Sequence, residues 1–402
     1  MDFDIPQHLR PILKRAREFV DKEVIPVEDQ LRADPEKVDE LMKPVRAKAK
    51  SEGLWLPQLD EKHGGMGLGL TGHALMSEVL GRSPLGHYAL NAQAPDAGNM
   101  EILAEFGTKA HRDRWLEPLQ AGEIRSCFSM TEPDHAGSNP VWMSTTAVQD
   151  GDHWVINGRK WFTTGADGAA LAIVMAVSEP DSEPHKRATM IVVPTDTPGF
   201  TNVRNIPVMG EAGAGWASHS EIAYEDCRVP LDNTLGFPGA GFFIAQARLG
   251  PGRIHHCMRW IGVCERALDL MVKRAATRET APGEHLGGKQ TIQNWIAESR
   301  AQIDAARLLV MHAAWKMDKV GARAARIEIS TIKFHVAGVM LDVVDKAIQT
   351  HGALGITEDT ILSFFYRHER GARIYDGPDE VHKSVVAKKM LREAGMPRRE
   401  RK

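Results

Sequence analysis

Near the carboxyl end, the run Arg373-Ile374-Tyr375-Asp376-Gly377-Pro378-Asp379-Glu380 sets one carboxylate, Asp376, in a turn between two helical patterns. Gly377 lets the backbone fold closely around a ligand, and a carboxylate in such a turn is a candidate general base. The same residues also read as the start of a helix. Asp376 or Gly377 would cap it, Pro378 would sit in the first turn, and Asp379 and Glu380 would suit the helix dipole. The adjacent His255 and His256 invite a metal reading. Neighbouring helical positions point in different directions, so the two cannot readily share an ion. No HExxH pattern and no metal-spaced cysteine pair supports a metal site, so one histidine is read as packing and the other as lining a channel. Gly64-Gly65-Met66-Gly67-Leu68-Gly69 resembles a phosphate loop only superficially. No strand pattern precedes it and no Gly-Lys-Ser/Thr follows, so it reads as a helix connection.

The elements that must position these residues follow from composition and periodicity. At 402 residues, 43% hydrophobic and 26% charged, the chain has globular values and room for two or three domains. A formal net charge of -3 implies neither a nucleic-acid partner nor an acidic substrate. Four cysteines, Cys127, Cys227, Cys257 and Cys264, are too sparse for a disulfide scaffold and fit a reducing cytoplasm. The acidic start, Met1-Asp2-Phe3-Asp4, lacks a signal-peptide pattern, and the apolar stretch 169–177 is about half a membrane-spanning length. The expectation is a soluble cytoplasmic protein without a membrane partner.

Residues 1–125 read as a helical domain, with Leu9, Ile12, Leu13, Ala16, Phe19 and Val20 at helical spacing. Residues 126–238 read as a compact antiparallel β-barrel or sandwich, built from runs at 145–148, 154–156, 159–163, 171–177 and 189–193. Asn157-Gly158 predicts a hairpin turn between two of them. Residues 239–402 read as a four-helix bundle. Its faces are marked by Ile261, Cys264, Ala267, Leu268 and Met271, by Ile303, Ala306, Leu309, Val310 and Ala313, and by Val336, Val339, Met340, Val343 and Val344. The class is therefore α+β, mostly α. Pro397-Arg398-Arg399-Glu400-Arg401-Lys402 reads as a solvated basic tail.

Several motifs carry a resemblance across nearly the whole chain. Phe128-Ser129-Met130-Thr131-Glu132-Pro133 with Gly137-Ser138 resembles the first signature of the acyl-CoA dehydrogenase family. Gly158-Arg159-Lys160-Trp161-Phe162-Thr163-Thr164-Gly165 resembles that family's tryptophan-containing strand beside the flavin. Glu265-Arg266-Ala267-Leu268-Asp269 is similar to its first bundle helix, and Gln349, Gly352 and Gly355 to its glutamine-glycine segment. Arg367 precedes Asp376 as the family's arginine precedes its catalytic acid. The segments 250–259, 295–300 and 376–382 resemble the branch whose larger members carry a kinase-like domain and handle 4-hydroxyacyl-CoAs. No kinase-like domain fits within this chain, so the dehydrogenase portion alone is carried over.

The resemblance implies FAD as cofactor, contacted by Phe128, Met130, Thr131, Gly137, Ser138, Trp161 and Thr163. Arg278, Gln290, Gln349 and Gly352 would meet the FAD of a neighbouring subunit, making the chain a homo-oligomer, dimer or tetramer. Ala281 stands where relatives usually have phenylalanine, and the loop after it is one residue longer, which alters the adenine end. Ser138, Arg253, Tyr375 and Gly377 would meet the acyl-CoA substrate. Asp376 would take the α-proton while hydride leaves the β-carbon, giving a trans-2-enoyl-CoA, with electrons passing to an electron-transfer flavoprotein. Most relatives place glutamate at this position; a second group places it on the first bundle helix, where this chain has Gly252. Gly250, Pro251 and Gly252 would interrupt that helix beside the acyl chain. Three other readings stay open on the same scaffold: a nitroalkane-oxidising enzyme, which also uses aspartate, an acyl-CoA oxidase, and a non-catalytic DNA-associated flavin binder.

Overall fold

The computed structural model describes residues 4–397, so most of the basic tail, residues 398–402, lies outside the described residues. In chain order the principal helices are α1 (Arg10–Phe19), α2 (Val38–Ser51), α3 (Gly69–Leu80), α4 (Asp96–Phe106), α5 (Gly241–Thr277), α6 (Gln290–Ala324), α7 (Arg326–His351), α8 (Ile361–Glu369) and α9 (Asp379–Glu393). The strands are β1 (Ser126–Ser129), β2 (Thr146–Asp150), β3 (His153–Thr164), β4 (Leu171–Val177), β5 (Ala188–Pro194), β6 (Phe200–Asn205), β7 (His219–Pro230) and β8 (Thr234–Leu235), plus the short pair β9 (Glu279–Ala281) and β10 (Glu284–His285). The order is helices, sheet, helices, an α+β chain that is mostly helical. Two compact units form: the described parts of Met1–Val20, Gly69–Gly86 and Arg253–Lys402, and Asp21–Leu68 with His87–Gly252.

In the second unit the sheet runs β6-β7-β3-β2-β4-β5-β8, with β1 also paired to β4. Two pairings are parallel, β1 with β4 and the single contact Thr146↔Val177 between β2 and β4, so the sheet is mixed rather than wholly antiparallel. β4 is a continuous apolar run because both its faces are covered. Leu171, Ile173 and Met175 join a core with Met100 and Leu103 of α4, while Ala172, Val174 and Ala176 pack with Trp154, Ile156 and Tyr224.

Asn157-Gly158 is not a hairpin turn. β3 runs straight through it, and the chain reverses earlier, at Gly151-Asp152, where Asp150 pairs with His153. Asn157-Gly158 instead forms a bulge against β7, where the register shifts between Ile156 and Gly158. A Cβ on Gly158 would stand 2.7 Å from the Thr145 Cα, so the glycine serves close backbone approach.

In the first unit α5, α6, α7 and α9 provide the bundle, with α8 between the last two. The predicted faces are buried in one core, except that Leu309 is exposed. Pro251 does not interrupt α5, which continues through it as one helix. Within this unit α3 crosses α5 on glycines. A Cβ on Gly262 would lie 2.1 Å from the Glu78 carbonyl oxygen, and one on Gly81 2.2 Å from that of Arg259. Asp318 on α6 accepts from the Thr71 amide at 3.0 Å, tying down the start of α3, and Arg307 grips Glu78 with two bonds of 2.8 and 2.9 Å.

Candidate functional site

The turn carrying Asp376 is held by an arginine, a lysine and a histidine that address its backbone. Arg253 Nε donates to the Asp376 carbonyl at 3.1 Å, and His382 Nε2 donates to the same oxygen at 3.1 Å. Lys333 Nζ, fully buried, donates to the carbonyls of Ala372 (2.7 Å) and Gly377 (3.3 Å). Asp376 itself has φ 53, a left-handed conformation that aspartate tolerates better than most side chains. Gly377 has φ 98, and a Cβ there would lie 2.7 Å from His382 Nε2, so any larger residue would be strained and would displace His382. The capping reading loses: Pro378 is the N-cap residue of α9, and no side chain caps it. Asp379, at the head of that helix, binds Arg373 at 2.7 Å.

The Asp376 side chain is about one-fifth exposed, and its Oδ2 lies 3.2 Å from His256 Nε2. Beneath it, Arg259 bonds Glu369 at 2.8 Å and the Tyr375 hydroxyl at 2.9 Å, while Trp260 Nε1 reaches Glu369 at 3.1 Å. Burial works against the Glu369 charge, yet Arg259 and His368 hold it well below the usual carboxylate range. Burial pulls the Arg253 guanidinium and the Lys333 ammonium down, with Asp376 acting in the opposite sense on both. His382 is brought down to about 4, by burial first and then by Arg253. His255 is brought down to about 3 by burial and by His256. It packs against His73, ring nitrogens 2.9 Å apart.

The structure thus gathers Asp376, Arg253, Tyr375 and Gly377 in one corner of the first unit. His256, Lys333 and His382 join them and were not singled out for this corner from the sequence. For Lys333 the sequence carries no signal beyond an out-of-pattern lysine on a buried helix face; for His256 it offers only that one of the adjacent pair lines a channel, and for His382 only its place in the segment 376–382. Arg367 pairs with Glu358 at 2.8 Å. Arg278 lies exposed just past α5, Gln290 exposed at the first residue of α6, and Gln349 and Gly352 exposed at the end of α7.

A second constellation lies in the other unit, along β1 and β3. Phe128, Met130, Thr131 and Trp161 are half-buried, and the Trp161 amide donates to the Thr131 carbonyl at 2.9 Å. Gly137 approaches Thr131 so closely that a Cβ would lie 3.1 Å from Thr131 Cγ2, and Ser138 beside it is exposed. The Thr163 hydroxyl is turned inward, fully buried, 3.4 Å from Ser129 Oγ. The Arg248 guanidinium lies 4.1 Å over the Phe128 ring and donates to Asn99 at 3.1 Å, neighbours the sequence did not announce. Below this strip Lys160 is enclosed, donating to the Met130 carbonyl at 2.8 Å and to Glu132 at 2.9 Å. Glu132 accepts in addition from the Ser144 and Thr145 amides at 2.6 and 2.9 Å. The four cysteines are free and buried, and among the described residues no cluster of metal-ligating side chains forms. No described helix is long and apolar enough to cross a membrane.

Family models for the N-terminal, middle and C-terminal domains of acyl-CoA dehydrogenase match residues 6–123, 127–227 and 239–391, and the chain belongs to the acyl-CoA dehydrogenase family. A Mycobacterium tuberculosis protein assigned as an acyl-CoA dehydrogenase is 47% identical over 357 residues, covering 87% of this chain and 86% of its own length. Mouse acyl-CoA dehydrogenase family member 10 is 42% identical over 404 aligned residues, covering 96% of this chain but 38% of its own length. A solved Mycobacterium abscessus structure, also assigned as an acyl-CoA dehydrogenase, superposes with a TM-score of 0.93 at 39% identity, covering 98% of this chain and 100% of the other.

Proposed function

We propose that the chain is an FAD-dependent acyl-CoA dehydrogenase in which Asp376 removes the α-proton of an acyl-CoA thioester. The observation that carries this reading is the Asp376 turn: a carboxylate released from helix capping, partly exposed, on a backbone fixed by Arg253, Lys333 and His382. Such fixing is what a base needs, because a shift of about 1 Å can cost a hundredfold in rate.

The residues of β1 and β3 fit the proposed cofactor. Phe128, Met130 and Trp161 offer apolar surface to a flat ring, Thr131 offers a hydroxyl, and the buried Trp161 indole N–H has no hydrogen-bond partner among the described residues. Gly137 and Ser138 add a close backbone approach and an exposed hydroxyl. Thr163, turned inward, supports this strip through Ser129. FAD, when bound, would accept hydride from the β-carbon. Asp376 takes the α-proton on its carboxylate, and its backbone N–H steadies the charge that gathers on the thioester oxygen. Arg253, Tyr375, Gly377 and Ser138 are assigned to the acyl-CoA.

The exposed Arg278, Gln290, Gln349 and Gly352 are assigned to the FAD of a second copy. The exposed apolar residues Leu308, Leu309 and Trp315 of α6 support a homo-oligomer, and a monomeric mass in sedimentation would overturn it. The electron acceptor is assigned, from the family, as an electron-transfer flavoprotein. The resemblance of segments 250–259, 295–300 and 376–382 to the branch that handles 4-hydroxyacyl-CoAs, and the unusual aspartate, favour a 4-hydroxylated acyl chain.

The test is anaerobic titration of the flavin spectrum with straight, branched, hydroxylated and aromatic acyl-CoAs, using the unaltered protein and Asp376→Asn. Bleaching confined to the unaltered protein supports the reading. Silence across the panel, with oxygen consumption on nitroethane, would replace it with nitroalkane oxidation.

A further inference from the structure

We propose that His256 is a positioning residue that holds the Asp376 carboxylate through the contact of its Nε2 with Oδ2. The proposal rests on the reading of Asp376 as the base. An aspartate is one methylene shorter than the glutamate usual in the family, about 1.5 Å of reach, so its carboxylate must be set with unusual care. Several groups around it fix the backbone of its turn. Arg253 Nε and His382 bond the Asp376 carbonyl, and Lys333 bonds those of Ala372 and Gly377. Arg259 is engaged with Glu369 and Tyr375, and Asp379 with Arg373. His256 addresses the carboxylate itself, at 3.2 Å.

Its ring is flanked by two aromatic neighbours. It lies 6.1 Å from the Trp260 ring at an interplanar angle of 22° and 5.3 Å from the Tyr375 ring at 59°. Tyr375 and Trp260 are fixed in turn by the buried Arg259–Glu369 pair. One continuous set of contacts therefore runs from the bundle core to the carboxylate oxygen. In the reaction the α-C–H bond breaks and an O–H bond forms on Asp376; the freed electron pair becomes the new C=C bond as the β-carbon gives up its hydride with the β-C–H pair, which FAD, when bound, would accept. His256 keeps its own proton throughout and acts through Asp376.

Four proteins test this: unaltered, Asp376→Asn, His256→Gln and His256→Phe, each loaded with FAD and mixed anaerobically with whichever of butyryl-, octanoyl- and 4-hydroxyvaleryl-CoA bleaches the unaltered protein fastest. His256→Phe should lower the limiting rate of flavin reduction about a hundredfold while the acyl-CoA Kd, read from the spectral perturbation, stays within about threefold. His256→Gln keeps an N–H donor and should recover to within about tenfold of the unaltered rate. In protein carrying 13C-labelled histidine, the His256 ring signal, identified by its loss in His256→Phe, should move on Asp376→Asn. An unchanged rate in His256→Phe beside an inert Asp376→Asn overturns the inference and spares the base. Turnover in Asp376→Asn overturns the base reading instead. A His256 signal indifferent to Asp376→Asn overturns the inference even where a variant fails to fold.

Discussion

Each of the two units withdraws a lysine from water, and they do so to different ends. In the sheet unit, Lys160 and Glu132 form a closed pair: Lys160 donates to Glu132 and to the Met130 carbonyl, Glu132 accepts from the Ser144 and Thr145 amides, and both side chains are almost wholly buried. In the bundle unit, Lys333 is equally buried but spends its protons on two carbonyls of the Asp376 turn, leaving a carboxylate at the end of the chain of contacts partly open. A closed pair braces the strip of β1 and β3 and has nothing left to offer a substrate. An open one keeps a group available for proton transfer. Burial of charge by itself therefore marks no active site; what marks one is where the last member of the network ends.

The largest effect that should separate the two is catalytic. Asp376→Asn is expected to lower flavin reduction by about 10²–10⁴-fold, the usual worth of a general base, while unfolding free energy changes by less than about 1 kcal/mol. Lys160→Met should do the reverse. Leaving Glu132 buried without its cation is expected to cost about 3–5 kcal/mol in urea unfolding, with turnover per folded molecule much less affected. If both variants lost stability alike, the contrast between brace and base would collapse.

Acid should sharpen it further. His255 and His382 ordinarily titrate near 6.5 and are brought down to about 3 and about 4 in the fold. Between those values the unfolded chain binds protons that the folded chain refuses, so stability is full above about pH 6.5 and declines as pH falls toward 4. The urea midpoint should therefore drop between pH 7 and pH 5, and His255→Gln should flatten that slope. The smallest expected effect concerns the bulge. Asn157 bonds the Asp226 amide at 2.8 Å and its carboxylate at 3.1 Å, so Asn157→Ala should cost about 1 kcal/mol, where a solvent-facing hairpin tip would cost almost nothing.

The order of helical, β and helical segments was legible because periodicity is written residue by residue: Ile303, Ala306, Val310 and Ala313 face the core as their spacing predicts. Leu309, at the edge of the same stripe, is exposed, since spacing alone does not say how wide the covered face is. β6 went unseen because its residues are largely exposed and polar, and β1 because a four-residue strand paired in parallel to a distant partner leaves almost no local trace. Asn157-Gly158 misled for a related reason. Glycine marks both a turn and a close approach, and only the position of Thr145 decides between them. At the site, the Asp376 turn was legible as a motif, whereas Lys333 and His382 reach it from helices whose sequence near them reads as ordinary core or surface. The glycine crossing of α3 on α5 is likewise invisible until both backbones are placed.

The φ of 53 at Asp376 gives the choice of acid at this position a second meaning. Left-handed backbone is a conformation that aspartate and asparagine occupy more readily than longer side chains, because their short polar groups can bond locally. Asp376→Glu would thus change two things together, lengthening the arm and loading the shoulder that carries it. Exchange between the two acids is then a matter of conformational compatibility as well as reach, and a lineage holding this turn geometry is steered toward aspartate before any substrate is considered.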